Sequence, residues 1–298
     1  MILITGATGF VGQSLSASLE QGEYTIRRST NRMSSLDWAH ELESVNTVVH
    51  LAARVHVMQD KSADPLAEFR AINVHGTLNL ARQAATAGVK RFVFLSSVKV
   101  NGEFTLPGQP FTADEANPQD PYGVSKYEAE LGLHVIAAET GMQVVIIRPP
   151  LIYGAGVKAN FASLLRVVRR GMPLPLALAT HNRRSFVSLN NLVDFIITCI
   201  HHPNATSQTF LVSDNDDVST ADLLRYMATA FSMSARLIPV PLSLLAISAK
   251  LLGKADVAQR LLGNLQVDIT KNKTLLGWQP PFTLQQGLNL MANSPKLI

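Results

Sequence analysis

The chain has 298 residues, enough for one large domain, or a large and a small one, around a sizeable core. Hydrophobic residues make up 47% and charged residues 16%, which excludes an intrinsically disordered chain. The net charge is +4, but the arginine pairs Arg27-Arg28, Arg169-Arg170 and Arg183-Arg184 are scattered, so no nucleic acid is expected as partner. A mild positive excess suits a small anionic ligand such as a nucleotide. The single cysteine, Cys199, excludes an internal disulfide and reads as a buried, inert thiol in the apolar run 195–200. The first residues carry neither a basic region nor an apolar segment of leader length. The longest apolar stretch, 237–252, is broken by Pro239, Pro241, two serines and Lys250, so no membrane span is expected. The chain therefore reads as cytoplasmic, with no membrane partner.

In chain order, residues 1–5, 24–27, 47–51, 91–95 and 143–148 are short runs rich in β-branched or aromatic residues, and read as strands. Residues 12–21, 65–87 and 122–140 between them read as helices. Strands alternating with helices predict an α/β fold with a doubly wound parallel sheet. Only about twenty residues separate Arg27 from Val48, leaving little room for a further strand. After residue 150 the alternation loosens: 160–170, 189–201 and 220–231 read as helices, and 186–188 and 208–212 as short strands. The expected organisation is a dinucleotide-binding domain over 1–150 and a smaller substrate-binding lobe over 151–298, interleaved with the first.

The first strand runs into Gly6-Ala7-Thr8-Gly9-Phe10-Val11-Gly12, which opens a helix. Glycines permit the tight turn and a close approach of the backbone to a pyrophosphate; the helix N-terminus supplies N–H donors for that anion. Gly6, Thr8, Gly9, Phe10, Val11 and Gly12 are therefore candidate cofactor contacts. After the second strand a carboxylate would read the ribose hydroxyl of NAD, whereas arginine accommodates the 2′-phosphate of NADP. Arg27 and Arg28 stand there, and no acid follows until Asp37, which favours NADP(H) over NAD(H).

Tyr122 and Lys126 lie four residues apart at a helix start, on one face. An ammonium there favours the tyrosinate and lowers the phenol pKa, fitting the tyrosine for proton transfer at a carbonyl or alcohol. Ser96-Ser97 ends the strand 91–95, where open parallel sheets bind ligands, and a serine hydroxyl there can hold the reacting oxygen. No metal cluster is apparent.

Together with His50-Leu51-Ala52-Ala53, Asn73-Val74-His75-Gly76-Thr77, Arg148-Pro149-Pro150 and Leu276-Gly277-Trp278, these motifs resemble the extended short-chain dehydrogenase/reductases over nearly the whole chain. Within that family the likeness is to the nucleotide-sugar epimerases and ketoreductases on a Rossmann-type fold. The resemblance implies that Tyr122 is the catalytic acid/base and that Lys126 binds the nicotinamide ribose. Ser97, five residues before Gly102, would contact the reacting oxygen. Leu51, Ala52 and Ala53 would line the cofactor, Asn73 would position the neighbouring loop, and Pro149 would pack near the nicotinamide. Lys99, Asn160 and Arg184 would meet the substrate, Arg184 at a nucleotide diphosphate.

Departures narrow the reaction. Val98-Lys99 replaces the Asp-Glu pair of the sugar 4,6-dehydratases, so dehydration is not expected, and Asn101 replaces the usual Tyr before the loop glycine. The resulting expectation is an NADP(H)-dependent reductase of a 4-keto nucleotide sugar, UDP-linked, in bacterial surface-polysaccharide synthesis. The alternatives are a UDP-hexose or N-acetylhexosamine 4-epimerase holding NAD⁺, a non-catalytic NADP(H)-sensing regulator, and, more distantly, a sterol dehydrogenase. By analogy with the family, helices 65–87 and 122–140 would pair two copies in a homodimer.

Overall fold

The computed structural model describes residues 1–55, 64–157 and 159–294, without the side chains of Ala159 and Asn160. The first half runs β1 (Ile2–Thr5), α1 (Phe10–Gln21), β2 (Ile26–Arg28), α2 (Ala39–Leu42), β3 (Thr47–His50), α3 (Pro65–Phe69), a π-helical segment Arg70–Gly76, α4 (Thr77–Thr86), β4 (Arg91–Leu95), a 3-10 turn Val98–Val100, α5 (Pro121–Thr140) and β5 (Gln143–Arg148). The second half runs β6 (Leu151–Tyr153), α6 (Ala159–Arg169), β7 (Phe186–Ser188), α7 (Leu189–His201), β8 (Thr209–Leu211), α8 (Thr220–Ala230), α9 (Leu242–Leu251), α10 (Ala255–Leu262), α11 (Thr270–Leu276) and α12 (Leu284–Ala292).

Six strands form one parallel sheet in the order β2-β1-β3-β4-β5-β8. No strand lies between β2 and β3 among the described residues, so β2 is the sheet edge. Side chains alternate across the pleat. Ile2, Ile4, Val49, Val93, Val145 and Ile147 enter the core under α1 and α7. Leu3, Val48, Phe92, Phe94, Val144 and Ile146 enter the core under α2, α4 and α5. This is the doubly wound, Rossmann-type fold. A third cluster around Tyr153, Phe161, Leu165, Phe186, Leu224 and Leu288 builds the lobe beside it. Its β6–β7 pair is a separate two-stranded parallel sheet, while α7 and β8 return to the main sheet. Arg91 locks that return: its Nη1 donates to the carbonyls of Cys199, Ile200 and His202 at the end of α7, at 2.8–3.0 Å, where a cation complements the helix dipole.

Among the departures from the sequence reading, two have a clear local cause. The second strand begins at Ile26, not Tyr24, because Glu23 turns left-handed (φ 61°) and keeps Tyr24 outside the ladder. The helix expected over 65–87 is one axis broken by the π-helical segment 70–76.

The strand ends are tied to α5 by a buried ion pair. Arg148 closes β5, and its Nη2 meets Glu130 of α5 at 2.6 Å; the side chains are 5% and 1% exposed. Glu130 also accepts from the Arg148 Nε and from Ser96 Oγ just beyond β4. Arg148 Nη1 donates to Asn101 Oδ1 and to the carbonyls of Ala113 and Glu115. Truncating one partner of such a pair strands the other charge without solvent. Glu130→Ala should therefore lose roughly 3–5 kcal/mol of stability, read as a lower urea midpoint against the parent protein.

Candidate active site

The chain reverses its direction of winding between β1 and β3, and that switch opens a crevice at the carboxyl ends of the strands. The glycine loop forms one lip. Gly6 adopts φ +67°, and a Cβ there would lie 2.7 Å from the Ala52 amide nitrogen. A Cβ on Gly12 would lie 2.2 Å from the Gly6 carbonyl oxygen, so glycine is required at both. The loop is closed by Gly9 N–H to Gly6 O at 2.9 Å and by Gln13 Nε2 to Thr8 O at 2.8 Å. Helix α1 starts at Phe10 and Val11 with no side-chain cap and no acid in its first turn. Its first amides are thus left for an external acceptor. Leu51, Ala52 and Ala53 form the facing lip, half-buried, with the Ala52 N–H on Thr5 Oγ1. A tight glycine loop, an uncapped helix start and an apolar wall fit a dinucleotide.

Beneath this crevice lies a buried polar chain built from two residues of the sequence motifs, His50 and Asn73, and partners that the sequence reading did not assign. His50 bridges Thr5 Oγ1 (2.6 Å) and Thr77 Oγ1 (2.9 Å) and stacks on Phe94. Burial, helped by the nearby Lys126, pushes its pKa down to about 3, so it is a neutral linker between β1, β3 and α4. Asn73, in the π-helical segment, donates to Ser125 Oγ of α5 at 3.0 Å and accepts from the Arg54 N–H at 2.9 Å. It clamps the chain after β3 to the helix that carries Tyr122.

Tyr122 and Lys126 stand on the first turns of α5, which Asp120 caps by accepting from the Gly123 N–H at 2.6 Å. Tyr122 is half-buried, its ring edge-on to Phe69, and Ser97 is near enough to favour its phenolate. Ser96 points the other way, into Glu130. The two adjacent serines thus have opposite roles, and only Ser97 faces the phenol. Lys126 is 1% exposed, with its Nζ 3.9 Å from the centroid of the Phe94 ring. Burial drives its pKa down to about 7, opposed by Glu130. Burial drives the Tyr122 phenol up to about 12, opposed by Ser97 and reinforced by Asp120. The expectation was that Lys126 lowers the Tyr122 pKa; here burial dominates, and Lys126 is not among the groups that shift the phenol. Pro149, buried beyond β5, accepts from the Val98 N–H at 3.0 Å and fixes the turn next to Ser97.

Four further expectations meet specific partners. Arg27 Nη1 donates to the carbonyls of His40 and Glu41, both at 2.8 Å, and Arg28 pairs with Glu20 at 2.8 Å. Both arginines read as a phosphate site are thus engaged by the protein itself. Lys99 is held between Glu103 and Asp120, so its ammonium braces the start of α5 instead of reaching for a ligand. Asn101 is buried and donates to the Thr112 and Glu115 carbonyls, so it stabilises the loop. The Asn160 side chain lies outside the described residues.

Arg184 bridges the strands' flank to Val218 and Leu265 and donates to the Gly263 carbonyl at 3.3 Å. Burial lowers its pKa to about 10; Arg260 lowers it further, and Glu103 opposes. Arg260 is a residue the sequence reading missed. The positive charge of Arg260 disfavours that of Arg184, and an anion between them would relieve this. Among the described residues no group of three or more His, Cys, Asp or Glu could hold a metal ion.

The motifs and this geometry agree with known proteins. The pattern of the NAD dependent epimerase/dehydratase family matches residues 2–213, and the chain belongs to that family. It is a nicotinamide-dependent enzyme of the extended short-chain dehydrogenase/reductase kind. It is 50% identical to a UDP-glucose 4-epimerase from Vibrio cholerae, over 98% of this chain and 94% of that one. In fold it is similar to the UDP-N-acetylglucosamine 4-epimerase of Bacillus cereus, with a TM-score of 0.79, 21% identity and 98% and 97% coverage. It is also similar to the UDP-glucuronic acid 4-epimerase of the same organism, solved with NAD, with a TM-score of 0.76, 19% identity and 98% and 97% coverage.

The buried lysine sets a pH dependence. Its folded-state pKa of about 7 lies below the ordinary 10.5, so between those values the unfolded chain binds the extra proton. Stability should then rise with pH from about 7 towards 10.5, and the rise should disappear in Lys126→Met. Urea midpoints of both proteins across that range measure it.

Proposed function

We propose that the protein is an NAD-dependent nucleotide-sugar 4-epimerase acting on a UDP-linked hexose or N-acetylhexosamine. The observation that carries this is the 50% identity, end to end, with a UDP-glucose 4-epimerase. The fold neighbours that act on UDP-sugars support the substrate class. Reduction with NADPH, the reading that Arg27 and Arg28 suggested, loses its basis now that both are engaged within the protein.

The first amides of α1 and the backbone at Gly6, Gly9 and Gly12 would hold the pyrophosphate of the cofactor, and Leu51, Ala52 and Ala53 would line its side. When bound, the cofactor would supply the acceptor, and then the donor, of the hydride at C4 of the sugar. Tyr122 takes the proton of the C4 hydroxyl as that hydride leaves, giving a 4-keto sugar. It hands the proton back to O4 once the sugar has presented its other face. Burial opposes the phenolate that the first step requires; the cationic form of Lys126, one turn further along the same helix face, favours it. Ser97 holds O4 against the phenol. Arg184 and Arg260 hold the diphosphate, which compensates their mutual repulsion. No net oxidation results, because each hydride and proton removed is restored. A homodimer through the helices at 65–87 and 122–140 belongs to the reading, and Leu131 and Val135 of α5 are exposed.

The test is to incubate the purified protein with UDP-glucose and with UDP-N-acetylglucosamine and follow the C4 epimer by NMR. Product should appear with no net change in nicotinamide absorbance. Net NADPH consumption with a 4-keto sugar, and no epimer, would restore the reductase. Tyr122→Phe should lower turnover by roughly 10²–10⁴-fold while retaining cofactor binding.

A further inference from the structure

Helices α9 and α10 pack together as a hairpin on the outside of the lobe, and neither contains a buried residue. Leu242 and Leu245 of α9, and Leu261 and Leu262 of α10, lean on the third cluster. The side of the hairpin turned away from that cluster is also apolar. Leu244, Ile247, Leu251, Leu252 and Val257 are between 51% and 83% exposed. Leu244, Ile247 and Leu251 recur at i, i+3 and i+7, so they share one helix face. The neighbouring α8, by contrast, buries Ala221, Leu223, Leu224, Met227 and Ala228 and shows solvent a polar face. A contiguous exposed apolar patch marks an interaction surface, since folding gains nothing from it.

Charge identifies what covers the patch. Between residues 233 and 259 there are three cations, Arg236, Lys250 and Lys254, and one carboxylate, Asp256. All four are exposed. No ion pair among the described residues engages these cations. Lys250 and Lys254 flank Leu251 and Leu252 at the hairpin tip. Apolar side chains ringed by cations match the acyl boundary and headgroups of an anionic bilayer. A second copy meeting this patch about a two-fold axis would bring like charges together. No helix among the described residues is long and apolar enough to cross a membrane, so this is docking on a surface.

We propose that the α9–α10 hairpin seats the protein on an anionic phospholipid surface, with Leu251 and Leu252 in the interface and Lys250 and Lys254 on the headgroups. The inference goes beyond the epimerase reading and does not depend on it. Because Arg260 stands in α10, docking would place it next to the membrane.

The full chain is sedimented with phosphatidylcholine vesicles, with and without phosphatidylglycerol. Binding is expected to the phosphatidylglycerol vesicles only and to weaken with salt. Leu251→Ser/Leu252→Ser and, separately, Lys250→Glu/Lys254→Glu should each weaken it by about tenfold or more, with sugar turnover and thermal midpoint unchanged. Binding that ignores vesicle charge, or that survives both double variants, overturns the proposal. So does the absence of vesicle binding together with a self-association that Leu251→Ser/Leu252→Ser abolishes, which would assign the patch to a second copy. Turnover is read separately, so loss of the epimerase reading would leave this result standing.

Discussion

The buried contact between Glu130 and Arg148 underlies the geometry of the whole site. One carboxylate on α5 gathers the end of β5, the serine just beyond β4 and, through Arg148, the loop closed by Asn101. Those are the surfaces between which Tyr122, Lys126 and Ser97 meet. Because Glu130 lies four residues after Lys126, the same helix turn that positions the lysine also fixes the strand ends below it. Desolvating two charges is costly, and an apolar pair of similar volume can be as stable. What the ion pair adds is direction: hydrogen bonds fix α5 in register along the sheet, where apolar packing would let it slide.

The polarity of the site is arranged in layers. Uppermost are amides of the glycine loop and α1, which attract an anion without any full charge. Below them lies a neutral layer of Thr5, His50 and Thr77, in which burial keeps the imidazole unprotonated. Lys126 sits between that layer and Tyr122, over the face of Phe94. The ring partly compensates the lost hydration of the ammonium, and a protonated His50 would remove that balance by adding a second cation nearby. The neutral histidine and the titratable lysine are therefore parts of one arrangement.

Much of this was legible in the sequence wherever a local pattern dictates the structure. The glycine loop, Tyr122, Lys126 and the boundaries of β4, β5 and α7 follow from spacing and propensity within a few residues. Ser97 could be chosen over Ser96 by counting from Gly102, yet the reason for their divergence is Glu130, more than thirty residues away. Arg27 and Arg28 read as cofactor contacts because nothing nearby in the chain competes for them. Their partners, the carbonyls at the start of α2 and the carboxylate of Glu20, come together only through the fold. Lys99 is similar: Glu103 could be foreseen one turn away, whereas Asp120 is brought in by the cap of α5. Glu130 and Arg148 each carry a weak signal, a charge on an otherwise apolar face, but the pairing itself is not local.

The π-helical segment Arg70–Gly76 has an implication for tolerance to change. Such segments correspond to one residue inserted into an α-helix. Removing a residue there would restore regular winding and rotate everything downstream by about 100°. Leu80, Ala81 and Ala84, which face the sheet, would swing off it, and Asn73 would leave Ser125. The segment acts as a phase adjuster between the crevice wall and the core face of α4. Within it, length is constrained alongside Asn73 and Gly76, since gaining or losing a single residue would shift every position that follows.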